Sequence, residues 1–235
     1  MTDISIVIPA KNEAENIEAL LDGIDAAMAG HDYEVIVVDD ASDDGMAAVL
    51  AARQAPHLRV LRHDRSGGQS AAVHSGVRAA RGAICCTLDG DGQNPPGELP
   101  KLLAPLADPA VGLVAGQRVG RQDSWSKRYA SKFANALRAR VLHDHTRDTG
   151  CGLKGFRRDA FLELPYFDHM HRYLPALFTR DGWQVAHVDV SHRPRGGGHS
   201  HYNNLQRGLV GISDLMGVAW LIRRRKKARP TEVTR

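Results

Sequence analysis

The chain has 235 residues, 43% of them hydrophobic and 25% charged, which places it among ordinary globular proteins with material for one sizeable core. Its formal net charge of +4 is largely local, because Arg223, Arg224, Arg225, Lys226, Lys227 and Arg229 crowd the last segment; the near-balanced remainder and the lack of interleaved aromatics argue against a nucleic-acid partner. Three cysteines, two of them adjacent in an apolar run, give neither a disulfide framework nor zinc-ligand spacing, so a reducing compartment is the simpler setting.

Taken in chain order, residues 4–8 read as a short apolar strand rather than an export signal, residues 13–29 carry helical periodicity, and residues 33–38 form a second apolar strand. The alternation continues with a helix over 45–53, a strand over 58–61, a helix over 69–80 and a buried strand over 83–88. Such repetition calls for a parallel sheet covered by helices on both faces. Beyond Pro95-Pro96 come a helix over 99–106, a strand over 111–115 and a basic amphipathic helix over 126–141. A glycine-rich turn at 148–152 precedes the apolar run 153–156, and a strand spans 184–190. Three consecutive glycines make 193–201 a loop suited to act as a lid. The expected organisation is a main domain over 1–204, followed by an amphipathic helix and polybasic tail over 205–235.

In open sheets of this kind, ligands bind beyond the carboxyl ends of the strands, where strand order reverses. Three strand ends carry polar residues: Pro9 to Glu13, Asp39 to Ser42, and Asp89-Gly90-Asp91-Gly92-Gln93. Asp89 and Asp91 are one glycine apart, so both carboxylates can turn toward one point while Gly90 admits a ligand close to the backbone. Such a pair repels itself unless a cation intervenes. Mg2+ or Mn2+ suits these oxygen ligands, with Gln93 as a further carbonyl, and keeps positions open for diphosphate oxygens. An isolated Asp-Gly-Asp is more often a turn; its place after a buried strand, beside two other acidic strand ends, favours the cation. Asp39 and Asp40 divide between helix capping and contact with a base or ribose. No G-x-x-x-x-G-K-[ST] loop and no G-x-G-x-x-G turn is present, which weighs against ATPases and dinucleotide-dependent dehydrogenases.

Together, Ile6-Val7-Ile8-Pro9 with Asn12-Glu13, Val37-Val38-Asp39-Asp40-Ala41-Ser42-Asp43-Asp44 and Leu88-Asp89-Gly90-Asp91-Gly92-Gln93-Asn94-Pro95-Pro96 resemble the family 2 glycosyltransferases. Within them the chain is similar to the dolichol-phosphate mannosyltransferase-like and undecaprenyl-phosphate sugar transferase branch. Downstream, 148–157 resembles the family's D-x-x-S/C-G-F/L-(R/K)-x-F-R block and 192–202 its H-R-x-R-x-x-G-x-S-K-Y loop. The resemblance implies an α/β fold of GT-A type, Rossmann-like and mostly parallel, with helices on both faces. It implies an inverting, metal-dependent transfer of a hexose from GDP-mannose or a UDP-sugar to a polyprenyl phosphate.

Residue by residue, the resemblance assigns the nucleotide to Pro9, Lys11, Glu13, Val37 and Asp39, and the metal and donor diphosphate to Asp89, Gly90, Asp91 and Gln93. Arg195 and His201 would close over the diphosphate, His201 standing where the family usually has a lysine. Arg118, Lys127 and Ser131 match positions that hold the acceptor phosphate. His171 and Arg172 are further candidates for that phosphate, weighed against a structural use.

A lipid phosphate is already anionic and needs no strong base. A saccharide hydroxyl would need one, and Asp148 is the candidate by sequence order, with Lys154 and Arg157 expected in reach and an ordinary turn aspartate as the plainer reading. A catalytically silent nucleotide-sugar-binding subunit is the alternative of another class. The apolar stretch 205–222, interrupted by Arg207 and Asp214, suits an interfacial helix with a polybasic anchor on the cytoplasmic face of the membrane. A helix packed on the domain, in a homodimer or against a membrane partner fits the same residues equally.

Overall fold

A computed structural model describes residues 2–119, 138, 140–142, 144, 146, 148–193, 204–225, 228, 231 and 233, with the backbone alone for 204–210. The sheet is built from β1 (Ile4–Ala10), β2 (Tyr33–Asp39), β3 (Leu58–Arg62), β4 (Ile84–Thr87), β5 (Val111–Arg118), β6 (Lys154–Arg157) and β7 (Gln184–Val190). The helices are α1 (Ile17–Ala27), α2 (Met46–Ala52), α3 (Gly68–Ala79), α4 (Leu99–Leu103), α5 (Arg158–Leu162), α6 (Leu174–Arg180) and α7 (Asn204–Arg223).

Because successive side chains on a strand point to opposite faces, the apolar run of β1 feeds two cores. Ile6 and Ile8, with Val35 and Val37 of β2, meet Ile17, Leu20, Leu21 and Ile24 of α1. Val7, with Ile36 and Val38, meets Ala72, Val73 and Val77 of α3 on the other face. Each such fully buried side chain contributes about 1.5–3 kcal/mol of transfer free energy. Gly76 makes the second packing possible, since a Cβ there would lie 2.3 Å from Val7 Cγ1.

Strand order is β3-β2-β1-β4-β6-β5-β7. β1 to β4 are mutually parallel, β5 and β7 run parallel, and β6 alone is antiparallel to its neighbours β4 and β5. The chain leaves β1 toward β2 and β3, then returns to place β4 on the other side, so the order reverses between β1 and β4. β6 enters the sheet at the carboxyl ends of β4 and β5, its Lys154 opposite both Thr87 and Ala115. The mostly parallel α/β sheet expected from the alternation is therefore present, with one reversed strand.

Several element boundaries differ from the sequence reading. α1 starts at Ile17 rather than at residue 13, because the amide of Ala14 donates to Asp44 and Glu13 to Asn16 close a turn. The single helix expected over 99–106 is a short α4 between two 3-10 turns, with prolines at 96, 100 and 105 interrupting the ladder. α5 and α6 are additional. α6 buries Leu174, Pro175, Ala176, Leu177 and Phe178 and so shows no polar-to-apolar stripe. Most of the basic helix expected over 126–141, and most of the loop 193–201, lie outside the described residues.

α7 packs Val218 against the second core, with Leu215, Ala219 and Ile222 beside it. His169 Nδ1 lies 3.0 Å from Asp214 Oδ2, and Arg180 donates to the Leu221 carbonyl. Ile212, Met216 and Trp220, four residues apart, form an exposed ridge. Among the described residues, no helix is long and apolar enough to cross a membrane.

Candidate active site

The loops that follow β1 and β2 are locked together. Asn12, with φ 57°, donates its amide to Ser42 Oγ at 3.0 Å and its side-chain amide to Asp43 Oδ1 at 2.8 Å, while the amide of Asp43 donates back to Asn12 Oδ1. Lys11 is exposed beside this junction, Pro9 and Glu13 are half-buried, and the Glu13 carboxylate accepts from Asn16. Val37 is fully buried in the core, so its side chain serves to carry Asp39 to the strand end.

Asp39 and Asp40 divide the work. Asp40 accepts four hydrogen bonds: from the Gly67 and Gly68 amides at 2.8 and 2.9 Å, from Ser66 Oγ at 2.7 Å, and from His63 Nδ1 at 2.7 Å. Burial opposes its ionisation, but these donors outweigh it and hold the carboxyl down at about 2. It caps the start of α3 from another strand. Asp39 Oδ1 accepts from the Ser42 amide, whereas Oδ2, although buried, accepts no well-aligned hydrogen bond and lies 3.1 Å from the exposed Arg62 guanidinium. A buried acceptor left this way fits a donor on a bound base or ribose.

At the end of β4 the balance is opposite. The Asp89 carboxylate lies flat on the backbone of Gly152, where a Cβ would be 2.0 Å from Oδ2. Gln69 Nε2 at the start of α3 donates to Asp89 Oδ1 at 2.7 Å, and Asn94 Nδ2 lies 3.5 Å from Oδ2. Burial first, and then the nearby Asp91 charge, push Asp89 up to about 6, despite Lys154 and Arg118 in the neighbourhood. The Asp91 carboxylate accepts from the Gln93 amide at 3.1 Å. Gly90 lets this loop pack close to the end of β1, since a Cβ there would lie 3.1 Å from Ala10 Cβ. A recessed carboxylate with a second carboxylate two residues on is chemically suited to a divalent cation. Among the described residues no group of three His, Cys, Asp or Glu side chains gathers as a metal cage, so such an ion would rely on the aspartate pair, Gln93 and ligand oxygens.

β5 and β6 supply the cations. Arg118 grips Asp148 in a fork, Nε to Oδ2 at 2.6 Å and Nη2 to Oδ1 at 2.8 Å, and the Gly150 amide also donates to Oδ1. This pairing raises the guanidinium above its usual range. Both oxygens of the candidate base are thus engaged. Lys154 is buried, hydrogen-bonded to the Cys151 carbonyl and pulled down by burial, with Asp89 and Asp148 favouring its charge. Arg157 instead donates to the carbonyls of Leu106, Asp108 and Val111, away from Asp148, contrary to the reach expected for it.

His171 is recessed, its Nδ1 2.8 Å from the buried Ser70 Oγ, and burial together with Lys154 and Arg172 brings it down to about 3. Its ring is thus held in a hydrogen bond with Ser70, and the exposed Arg172 beside it is the cation of that segment. The Arg193 amide donates to the Gln93 carbonyl, so the chain leaving β7 starts out from the loop that carries Asp89 and Asp91. Lys127, Ser131, Arg195 and His201 lie outside the described residues. Sequence reasoning missed Gln69, Asn94 and Gly152 as site residues. The loop after β3 ends on the same side of the sheet as the three acidic strand ends, which is the signal that points to Gln69.

This arrangement, a β4-end aspartate pair at the switch point of a mixed sheet, defines a nucleotide-sugar transferase fold of GT-A type. In solved structures the same architecture occurs in mannosyl-3-phosphoglycerate synthase from Rubrobacter xylanophilus, with TM-score 0.74 and 20% identity over 97% of this chain and 79% of that one. It occurs also in glucosyl-3-phosphoglycerate synthase from Mycobacterium tuberculosis, solved with Mn2+ and UDP, with TM-score 0.72 and 22% identity over 94% and 80%. The sequence model of glycosyl transferase family 2 matches residues 5–164, and the chain belongs to that family. It is 32% identical to dodecaprenyl-phosphate galacturonate synthase of Rhizobium johnstonii over 97% of this chain and 69% of the relative. It is 34% identical to undecaprenyl-phosphate 4-deoxy-4-formamido-L-arabinose transferase of Aeromonas hydrophila over 91% and 65%. The chain spans about two thirds of the length of these relatives.

Proposed function

We propose that the chain transfers a hexose from a nucleotide-sugar, GDP-mannose or a UDP-sugar, to a polyprenyl phosphate at the membrane surface. The observation that carries this reading is the Asp89 and Asp91 pair, with Asp89 held against Gly152 and Gln69 beyond the end of β4, where donors of this fold class bind. Asp89, Asp91 and Gln93 would hold Mg2+ or Mn2+, which when bound neutralises charge on the departing nucleoside diphosphate. The acceptor's phosphate oxygen forms a bond to the anomeric carbon as the bond to the donor diphosphate breaks, and a single displacement inverts that centre.

The polyprenyl phosphates in the relatives' names support the acceptor class. So does the Arg118 fork on Asp148, which leaves a saccharide hydroxyl without a disengaged base, whereas a phosphate monoester needs none. Asp39 would hold the base or ribose, together with Lys11, Glu13 and Pro9. Arg118, Lys127, Ser131 and Arg172 would draw the acceptor phosphate, and Arg195 and His201 the donor diphosphate. The exposed ridge of α7, followed by the exposed Arg223, Arg224 and Arg225, suits peripheral contact with an anionic membrane on its cytoplasmic face.

The test is transfer of labelled sugar from GDP-mannose, UDP-glucose and UDP-N-acetylglucosamine to undecaprenyl phosphate, with free saccharides as competing acceptors. Lipid-linked product that disappears with EDTA and returns with Mn2+ is expected; product on saccharides alone would overturn the acceptor assignment.

A further inference from the structure

Asp89 reaches the cleft from the loop two residues past β4, and a free aspartate there can rotate about both side-chain torsions. Two contacts fix it. Gly152 holds one face of the carboxylate by admitting it against bare backbone. Gln69 Nε2 holds Oδ1 at 2.7 Å from the opposite wall. Among the described residues, Oδ2 then has the long approach of Asn94 Nδ2 at 3.5 Å. Gln69 is itself exposed, and it sits on the first turn of a twelve-residue helix whose start is anchored on both sides. Asp40 binds the Gly67 and Gly68 amides, and the buried Ser70 exchanges hydrogen bonds with the amide and ring of His171. The turn that carries Gln69 is therefore rigid, and the amide is delivered from a fixed point.

Resting on the proposed metal and diphosphate role of Asp89, we infer that Gln69 is a positioning residue for this carboxylate: it pins Oδ1 so that Oδ2 faces the Asp91 side of the cleft. Its role is to reduce the reorganisation required when a cation and diphosphate arrive, as preorganised supporting hydrogen bonds do at metal sites. A glutamine is suited to the task because its amide donates without adding charge to a pair of carboxylates that already repel.

The experiment measures Mn2+ binding, alone and with UDP or GDP, by the loss of free-ion electron paramagnetic resonance signal. It compares the intact protein with Gln69→Leu, which keeps side-chain bulk without the donor, Gln69→Ala, and Asp91→Ala. Gln69 is exposed and both replacements are good helix formers, so melting temperatures should stay within about 1–2 °C of the parent. Both Gln69 variants should weaken Mn2+·nucleotide binding by about tenfold, equivalent to ~1.4 kcal/mol. Unchanged affinity in both, with Asp91→Ala abolishing binding, would overturn the role of Gln69 and leave the metal reading intact. Weakening that appears only together with a lowered melting temperature would also overturn it. A parent protein that binds Mn2+ neither alone nor with either nucleotide overturns the metal reading and this inference with it.

Discussion

The ends of β2 and β4 each present a recessed aspartate, and the two have opposite surroundings. Asp40 receives four short hydrogen bonds and stays ionised down to about 2, so its charge is wholly used in tying the loop 63–68 and the start of α3 to the sheet. Asp89 has one short bond and a like-charged neighbour, and is pushed up to about 6. A carboxylate whose donors are all internal is a structural tie, whereas one held in place but left electrostatically opposed is ready for something that arrives from outside.

The strongest way to break this contrast is at Asp91, the charge that opposes Asp89. Asp91→Ala should lower sugar transfer by at least about 10²-fold, the scale of losing one principal source of charge stabilisation, while leaving the melting temperature near the parent's. Equal losses of rate and stability would place Asp91 with Asp40 as a structural tie. Next comes Gly152→Ala. The added methyl would occupy the space of the Asp89 carboxylate, so the aspartate must swing away; about 1–3 kcal/mol of stability should go with it. A crystal structure of the variant with Asp89 unmoved would refute the cradle.

Asp40→Asn should cost about 2 kcal/mol in denaturant unfolding at pH 7, from the loss of charge-assisted bonds. The folded Asp40 titrates near 2, below the ~3.9 of an unfolded aspartate. Its contribution is therefore complete above about pH 4 and is lost as pH falls toward 2, on the order of 2 kcal/mol across that window. The parent should lose its advantage over Asp40→Asn as the pH drops through that range; a constant gap down to pH 2 would refute the assignment. The smallest effect is expected at Arg62, whose exposed guanidinium pairs with the buried Asp39. Removing it should cost about 1 kcal/mol, because solvent screens the arginine while the Asp39 carboxylate loses its counter-ion, measured by the same unfolding curves.

Legibility in the sequence follows a similar division. The first half alternates apolar strands with amphipathic helices, and its polar residues come in blocks directly after the strands, so Asp39, Asp89 and Asp91 could be read from position. The second half hides its logic. β6 is four residues long with a lysine at its start, α6 is buried nearly all round, and neither pattern has a period that betrays the element. Arg118 and Asp148 were read as separate candidates, thirty residues apart; that they form one fork depends on β5 and β6 lying side by side, a pairing that no local pattern specifies. Between a phosphate contact and a structural use of His171 the sequence does not decide, because composition carries no information on burial. Gln69 was passed over because a glutamine on a helix surface is ordinary until the strand end opposite it is known.

The outward ridge of α7 has a practical corollary. Trp220 is one of three tryptophans in the chain and is 59% exposed, three residues before the first of the clustered arginines. It is a built-in optical reporter: any vesicle, detergent or protein that covers the ridge should shift its emission to shorter wavelength, without a label having been attached.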